Sequence, residues 1–287
     1  MLLKNFLPAP ELREYVRFYR IVHFEFSSVE QAYKAFPPKP EHCLYFYPFD
    51  REVIEYDAGA KKIAVPPAIL IGQQLFASNR YQIAKKFLLF QIMFQPAALF
   101  RLTGIPSSEL TNEFIDAECV FSNEIRFVNE QLYHAKDYAE MIAVGNRFVS
   151  TLLKQKVKEL HVLDGVCDQL LRGDERAYLT KLAKEAFLST KQFERKFVQR
   201  IGINPKQYEK IIRFDKAYTL KLKRPFMNWR QIAYSCGYAD YQHMVKDYKE
   251  FTGVTPVEFK LLDERSAERA LGIAEDYYKE NKIGSLG

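Results

Sequence analysis

The sequence is short of the groups that most catalytic and metal chemistry requires. Its four cysteines, Cys43, Cys119, Cys167 and Cys236, form no CxxC pair. That excludes the common zinc and disulfide frameworks and points to buried, reduced thiols. His23, His42, His134 and His161 stand isolated with no HxH pair, so no metal site is expected. No P-loop, GxGxxG or GxSxG pattern occurs, which removes the nucleotide-cradling loops and the nucleophile elbow. No apolar run reaches the roughly 18–20 residues that a membrane span needs, and none is expected. The opening stretch MLLKNFLPAPEL has no long apolar segment followed by a small-residue cleavage site, so a cytoplasmic protein is expected. Neither a cofactor nor an enzymatic activity is expected.

What is present suits two globular domains. The chain has 287 residues, 48% of them hydrophobic, enough for a core in each of two ordinary domains. Its 23 Phe and 18 Tyr favour well-filled, β-rich cores over disorder. The net charge of +6 is unevenly spread: residues 171–262 carry 19 Lys+Arg against 10 Asp+Glu, whereas residues 1–170 carry 19 against 20. A basic surface concentrated in one segment attracts phosphate and gives salt-dependent affinity.

The first hundred residues read mostly as strands. Tyr15–Phe26 mixes β-branched and aromatic residues and tends to alternate in its second half, and Cys43–Tyr47, Val65–Ile71 and Phe87–Phe94 are short apolar runs. They are separated by turn signals at Pro37, Pro38 and Pro40, at Asp57–Gly59, at Pro66–Pro67 and at Ser78–Asn79. Such spacing predicts a small barrel or sandwich in which Tyr45, Tyr47, Phe90 and Phe94 are core. Helical spacing takes over after Pro96, first over Ala97–Leu102 up to Gly104, then over 123–134 and 138–160. In the last of these Met141, Val144, Phe148, Thr151 and Leu152 form one stripe. This helix pair is also a candidate dimer interface. Arg172–Gly173–Asp174 reads as a break before the C-terminal unit.

That unit contains one pattern twice. LAKEAFLSTKQFERKFVQRIGINP, Leu182 to Pro205, and IAYSCGYADYQHMVKDYKEFTGVTP, Ile232 to Pro256, align at an offset of fifty up to the turn and fifty-one after it. Each reads as a helix, a tight turn and a second helix. In the first copy Leu179, Leu182, Ala183 and Ala186 share a face. Ser189 is the N-cap, with Gln192 completing a capping box. Phe193 and Phe197 are buried and Gly202 ends the helix. Thr190, Lys191, Glu194 and Arg195 are left facing out. In the second copy Gly237 makes the turn, Asp240 caps, and Met244, Tyr248 and Phe251 point inward, leaving Tyr241, Gln242, His243 and Lys246 outward. Arginine can grip guanine bidentately, glutamate can accept from cytosine and glutamine can read adenine. His243 also fits an ordinary surface histidine. Pro205 opens a connector helix to about Lys221 with Tyr208, Ile211, Ile212 and Ala217 on its inner face. It is suited to hold the two outer helices one duplex turn, about 34 Å, apart. Its Lys210, Arg213 and Lys216 are candidate phosphate contacts.

These residues resemble the DNA-binding domain of the AraC-type transcription regulators. The resemblance is carried by LAKEAFLSTKQFERKF, by IAYSCGYADYQHMVKDYKEFTGVTPVEF and by the Tyr208–Ala217 stretch. It implies a seven-helix domain with two helix-turn-helix units, promoter binding, and recruitment or exclusion of RNA polymerase. It also implies that the base-reading positions fall on Lys191, Glu194 and Arg195, and on Tyr241, Gln242, His243 and Lys246. The chain departs from the pattern at Phe187, where the family usually has glycine, and at Met244 and Lys246, where it usually has Phe and Arg. Lysine lacks the arginine fork, so the second unit is expected to grip phosphate more than read bases. More faintly, FQPAALFRLTG (Phe94–Gly104) is similar to a segment of the cupin-like sensor domains that precede some AraC-type domains, which implies effector sensing or dimerisation.

The expected architecture is therefore α+β in two domains. Residues 1–160 form a β-rich, cupin-like barrel with trailing helices, and 165–262 an all-α double helix-turn-helix domain. Residues 263–287 form a helical tail with Ala267, Ala270, Leu271, Ala274 and Tyr278 at helical spacing, packed on its own domain or meeting a partner. The expected partners are double-stranded DNA, RNA polymerase, a small-molecule effector and a second copy of the chain. Two other readings remain. An alkyl-transfer repair factor fused to the same DNA-binding unit would need a reactive thiolate, yet Cys43 and Cys119 have apolar or acidic neighbours. An interaction protein with degraded base recognition would act through partner contacts alone.

Overall fold

The computed structural model describes residues 2–56, 59–155, 157–172, 183–184, 187–274 and 277. Eight strands open the chain: β1 (Leu2–Phe6), β2 (Val16–Phe36), β3 (Cys43–Phe46), β4 (Glu52–Tyr56), β5 (Lys61–Ala64), β6 (Ala68–Ile71), β7 (Ser78–Phe94) and β8 (Phe114–Asp116). They form one antiparallel sheet in the order β1-β2-β7-β3-β6-β8, with β4 pairing both β7 and β5. The long β2–β7 ladder runs from Val16 opposite Phe94 to Phe36 opposite Ser78, with a register irregularity between Glu25 and Glu30.

Both faces of the sheet are covered, which explains why Phe87–Phe94 reads as an unbroken apolar run. Alternation divides it: Leu88, Phe90 and Ile92 enter one cluster, and Phe87, Leu89 and Met93 the other. The first face packs against α1 (Ala98–Thr103), α2 (Glu118–Phe121), α3 (Glu124–His134) and α4 (Tyr138–Leu153) through Leu99, Phe121, Leu132, Met141 and Phe148. Tyr45, Tyr47, Phe90 and Phe94 are all buried, as expected.

Some expectations change. Ser78–Asn79 is strand rather than turn, and β2 runs ten residues beyond Phe26: each long strand lends the other its ladder bonds, which outweighs the weak strand preference of the polar stretches between them. The short strands β1, β4, β5 and β8 were not anticipated. The helix expected to reach residue 160 stops at Leu153, and Thr151 is exposed rather than part of the buried stripe; the positions three and four after Leu152, which would continue the stripe, are Gln155 and Lys156. Cys43 and Cys167 are buried, but Cys119 is exposed.

The C-terminal half is helical: α5 (Val162–Arg172), α6 (Thr190–Ile201), α7 (Pro205–Lys223), α8 (Trp229–Ser235), α9 (Tyr241–Thr252), α10 (Pro256–Asp263) and α11 (Ala267–Ala270). Phe193, Phe197, Ile211, Phe214, Ile232, Met244, Tyr248 and Phe259 share one core. Ala35 and Ala97 of the N-terminal domain join that core, so the two halves meet over a continuous apolar surface. Among the described residues, no helix is long and apolar enough to cross a membrane.

Candidate nucleic-acid interface

Where both copies of the repeat are described, they share the same turn bonds and the same positions of cap and terminating glycine. In the first turn the Phe187 amide donates to Lys184 O at 3.0 Å and the Leu188 amide to Ala183 O at 2.9 Å. Fifty residues on, the Gly237 amide donates to Tyr234 O at 3.1 Å and the Tyr238 amide to Ala233 O at 3.0 Å. The turn residue is left-handed in both, with φ 54° at Phe187 and 79° at Gly237. Ser189 caps α6 by accepting from the Gln192 amide in a full capping box, and Asp240 caps α9 by accepting from the His243 amide at 2.9 Å. Gly202 and Gly253 end these helices at φ 97° and 77°. Pro205 and Pro256 then start the next helix behind the caps Asn204 and Thr255. Of the first unit's leading helix only Ala183 and Lys184 are described, both helical; the face expected for Leu179, Leu182 and Ala186 lies outside the described residues.

With Phe193, Phe197 and Ile201 buried, α6 presents Thr190, Lys191, Glu194 and Arg195 exposed along its first two turns. On α9 Gln242, His243 and Lys246 are exposed, while Tyr241 is half-buried against the core. His243 Nδ1 lies 2.9 Å from Asp240 Oδ1. That contact and the bond from the His243 amide hold the Asp240 carboxyl below the ordinary carboxylate range. His243 is thus committed to the cap at least as much as to a base.

The expected phosphate contacts divide. Lys216 is exposed. Arg213, however, donates from Nη2 to Asp247 Oδ2 at 3.1 Å and stacks on Tyr238, 4.5 Å from the ring centroid. Lys210 Nζ lies 3.3 Å from Asp247 Oδ1 and 2.5 Å from Glu250 Oε2. Burial opposes the charge on Arg213, but its bond to Asp247 holds its pKa above the ordinary value. These two cations bind α7 to α9 through ion pairs within the domain, so a phosphate would compete with Asp247 and Glu250 for them.

A groove lies along α6, lined by Lys191, Glu194, Arg195 and Lys196 on one side and by Pro106 and Ser108 of the N-terminal domain on the other. Beyond it the C-terminal end of α6 is docked. Ser107 Oγ donates to Arg200 O at 2.7 Å, Thr111 Oγ1 to Gly202 O at 2.9 Å, and His42 Nε2 lies 3.1 Å from Ile201 O. Arg200 is buried, 3.4 Å from Asp164 and stacked on Phe100. Neither this docking nor Lys196 was anticipated. The signal for Arg200 was present, since it falls three residues after Phe197 on the buried stripe.

Residues 182–261 match a family model described as a helix-turn-helix domain, and residues 4–116 match one described as a domain of unknown function. No curated protein matches the chain. Among solved structures it is similar to ToxT from Vibrio cholerae at 13% identity and a TM-score of 0.48, over 85% of this chain and 98% of ToxT. A ToxT structure with an unsaturated fatty acid bound aligns at 13% identity and 0.46, over 87% and 96%. The AraC-like transcriptional activator CuxR aligns at 14% identity and 0.25, over 76% and 87%. Identification therefore rests on the matched helix-turn-helix segment and the repeated geometry rather than on these distant likenesses. Residues 182–261 form a helix-turn-helix domain, joined to a separate N-terminal domain.

Proposed function

We propose that this chain is an AraC-type transcription regulator that reads DNA with two recognition helices, α6 and α9, in successive major grooves, under the control of a small-molecule effector held by the N-terminal domain. The observation that carries the reading is the recurrence of the same turn bonds, caps and terminators in both units. Two like-built helices on one rigid connector suit two half-elements about ten base pairs apart. Thr190, Lys191, Glu194 and Arg195 read bases from the first helix. Gln242 and Lys246 do so from the second, with Tyr241 and His243 shaping its start, and Lys216 serves phosphate. RNA polymerase is the partner through which bound protein changes promoter output, and a second copy of the chain is a further partner. The exposed Phe127 and Tyr133 on α3 favour such self-association. The protein acts by binding rather than by chemistry: burial pushes the thiols of Cys43 and Cys236 up to about 12 and about 11, poor values for a nucleophile.

Selection of bound fragments from a random DNA pool at physiological salt, with the full-length protein, tests this. Two half-elements about ten base pairs apart are expected; a single half-element would reduce α9 to a phosphate clamp, and no enrichment would overturn base reading. On the selected site Arg195→Ala should cost about 1–3 kcal/mol and relax specificity at one position. Equal losses on selected and random DNA would remove that role.

A further inference from the structure

The segment after the second unit leaves its own domain and returns to the N-terminal sheet. Ser266 forms a parallel bridge with Tyr33. Ala267, Leu271 and Ile273 join the apolar cluster that Phe24, Tyr45, Phe87 and Leu89 build on the sheet face away from α3 and α4. For residues 266–274 the expectation of a tail packed on its own domain is thereby corrected, while Tyr278 lies outside the described residues.

Against this segment lies a cavity of about 50 Å³, set in a depression of about 550 Å³ that is open to solvent. Phe24, Phe87 and Leu89 line it together with Lys34, Arg80 and Gln91, and Glu268 of the tail forms part of its wall. Arg80 is 3% exposed and lies 3.1 Å from Glu52, yet among the described residues its Nε has no acceptor, and the Oε1 of buried Gln91 has no donor. Buried polar atoms left unpaired are costly. The cavity therefore suits a small molecule that carries both an acceptor and a donor on an apolar body.

The tail holds the cavity wall by an ion pair, since Glu268, itself buried, bonds to Lys34. Its neighbour Arg269 has a different partner. Arg269 Nε and Nη2 donate to Asp263 Oδ2 at 3.1 and 3.0 Å, and Asp263 Oδ1 accepts from Tyr218 of α7 at 2.6 Å. Two adjacent residues thus connect the cavity wall to the helix between the recognition units. We propose that the tail is a displaceable strap: a ligand whose acceptor takes Lys34 from Glu268 loosens residues 266–274 from the sheet and reports cavity occupancy to α7. This rests on the reading of the N-terminal domain as an effector domain. Release of the strap is expected to change DNA affinity through α7, which Tyr218 and Asp263 tie to it.

The probe is 8-anilinonaphthalene-1-sulfonate, whose sulfonate, N–H and rings match the cavity. Full-length Glu268→Gln should bind it about five-fold more tightly than the wild type, equivalent to roughly 1 kcal/mol. Hydrogen exchange across 264–274 should quicken in that variant alone, and in the wild type once the probe is bound. Affinity for a selected DNA site should shift in the same direction in both cases. Leu271→Asp, which removes an apolar anchor, should quicken the same exchange. Unchanged exchange in both variants, with the probe still bound in the cavity and lost in Gln91→Leu, overturns the strap and leaves the effector reading standing. Quickened exchange with no saturable probe binding to either protein overturns the proposal through the effector reading instead.

Discussion

At Phe187 the backbone is left-handed, φ 54°, while the side chain is 93% exposed. A bulky L-residue in that region costs about 1–2 kcal/mol, and a ring in solvent returns little burial to offset it. Gly237 makes the same turn in the second unit without a Cβ. Phe187→Gly removes the strain but enlarges the unfolded ensemble by about 0.5–1 kcal/mol. The expected net gain is therefore about 0.5–1 kcal/mol in a urea melt at unchanged m-value. A loss of stability would show that the ring is held by contacts worth more than the strain. This position was legible before any coordinates, because aligning the two copies sets Phe187 against Gly237. Arg213 was not legible in the same way. It lies on the connector among exposed basic residues, and only the tertiary approach of α9 shows that Asp247 neutralises it. The partner itself carried a signal: Asp247 lies three residues after Met244 and four before Phe251, on the buried stripe, where a carboxylate needs a cation.

For whole elements, caps and stripes were readable and long-range pairing was not. Ser189, Gln192, Asp240 and the glycines after α6 and α9 mark helix ends by local chemistry, and the structure places the ends there. The extent of β2 and β7 depends on each other's ladder bonds, and the tail's seat on the sheet depends on side chains more than two hundred residues away in sequence. Neither leaves a local pattern. The two terminating glycines separate local cost from long-range cost experimentally. At Gly253 a Cβ would meet nothing within 4 Å, whereas at Gly202 it would stand 2.7 Å from Thr111 Oγ1 and 2.9 Å from Ser107 O. Gly253→Ala should cost only the left-handed penalty, about 1–2 kcal/mol. Gly202→Ala should cost more, because the backbone at Ser107 must move or the docking of α6 must open. Limited proteolysis between the domains should be faster for Gly202→Ala alone. Equal rates for the two variants would mean that the α6 docking does not hold the domains together.

Across the whole molecule, the seam between the domains has a titratable group at its centre. His42 is buried, and its Nε2 lies 3.1 Å from the carbonyl of Ile201, the last residue of α6. A carbonyl only accepts, so Nε2 carries the proton in the neutral ring. Burial pushes the pKa of His42 down to about 4, against a weaker upward pull from that carbonyl and from Glu41. The folded value lies below the ordinary value of about 6.5, so the unfolded chain takes up the proton first. The contribution is fully present above about pH 6.5 and is lost as pH falls from there towards 4, amounting to roughly 2 kcal/mol by pH 5. Other groups titrate in the same range, so the informative quantity is the difference between the wild type and His42→Gln, whose amide can still donate to Ile201 O. Denaturation at pH 7.5 and pH 5 should show the wild type losing roughly 2 kcal/mol more than the variant. A seam that opens on protonation, rather than unfolding with the rest, would also free the end of α6. DNA affinity of the wild type would then change between these two pH values in a way that His42→Gln abolishes. Equal acid slopes for the two proteins would show that His42 is protonated without cost and that the seam is held by its apolar surface alone.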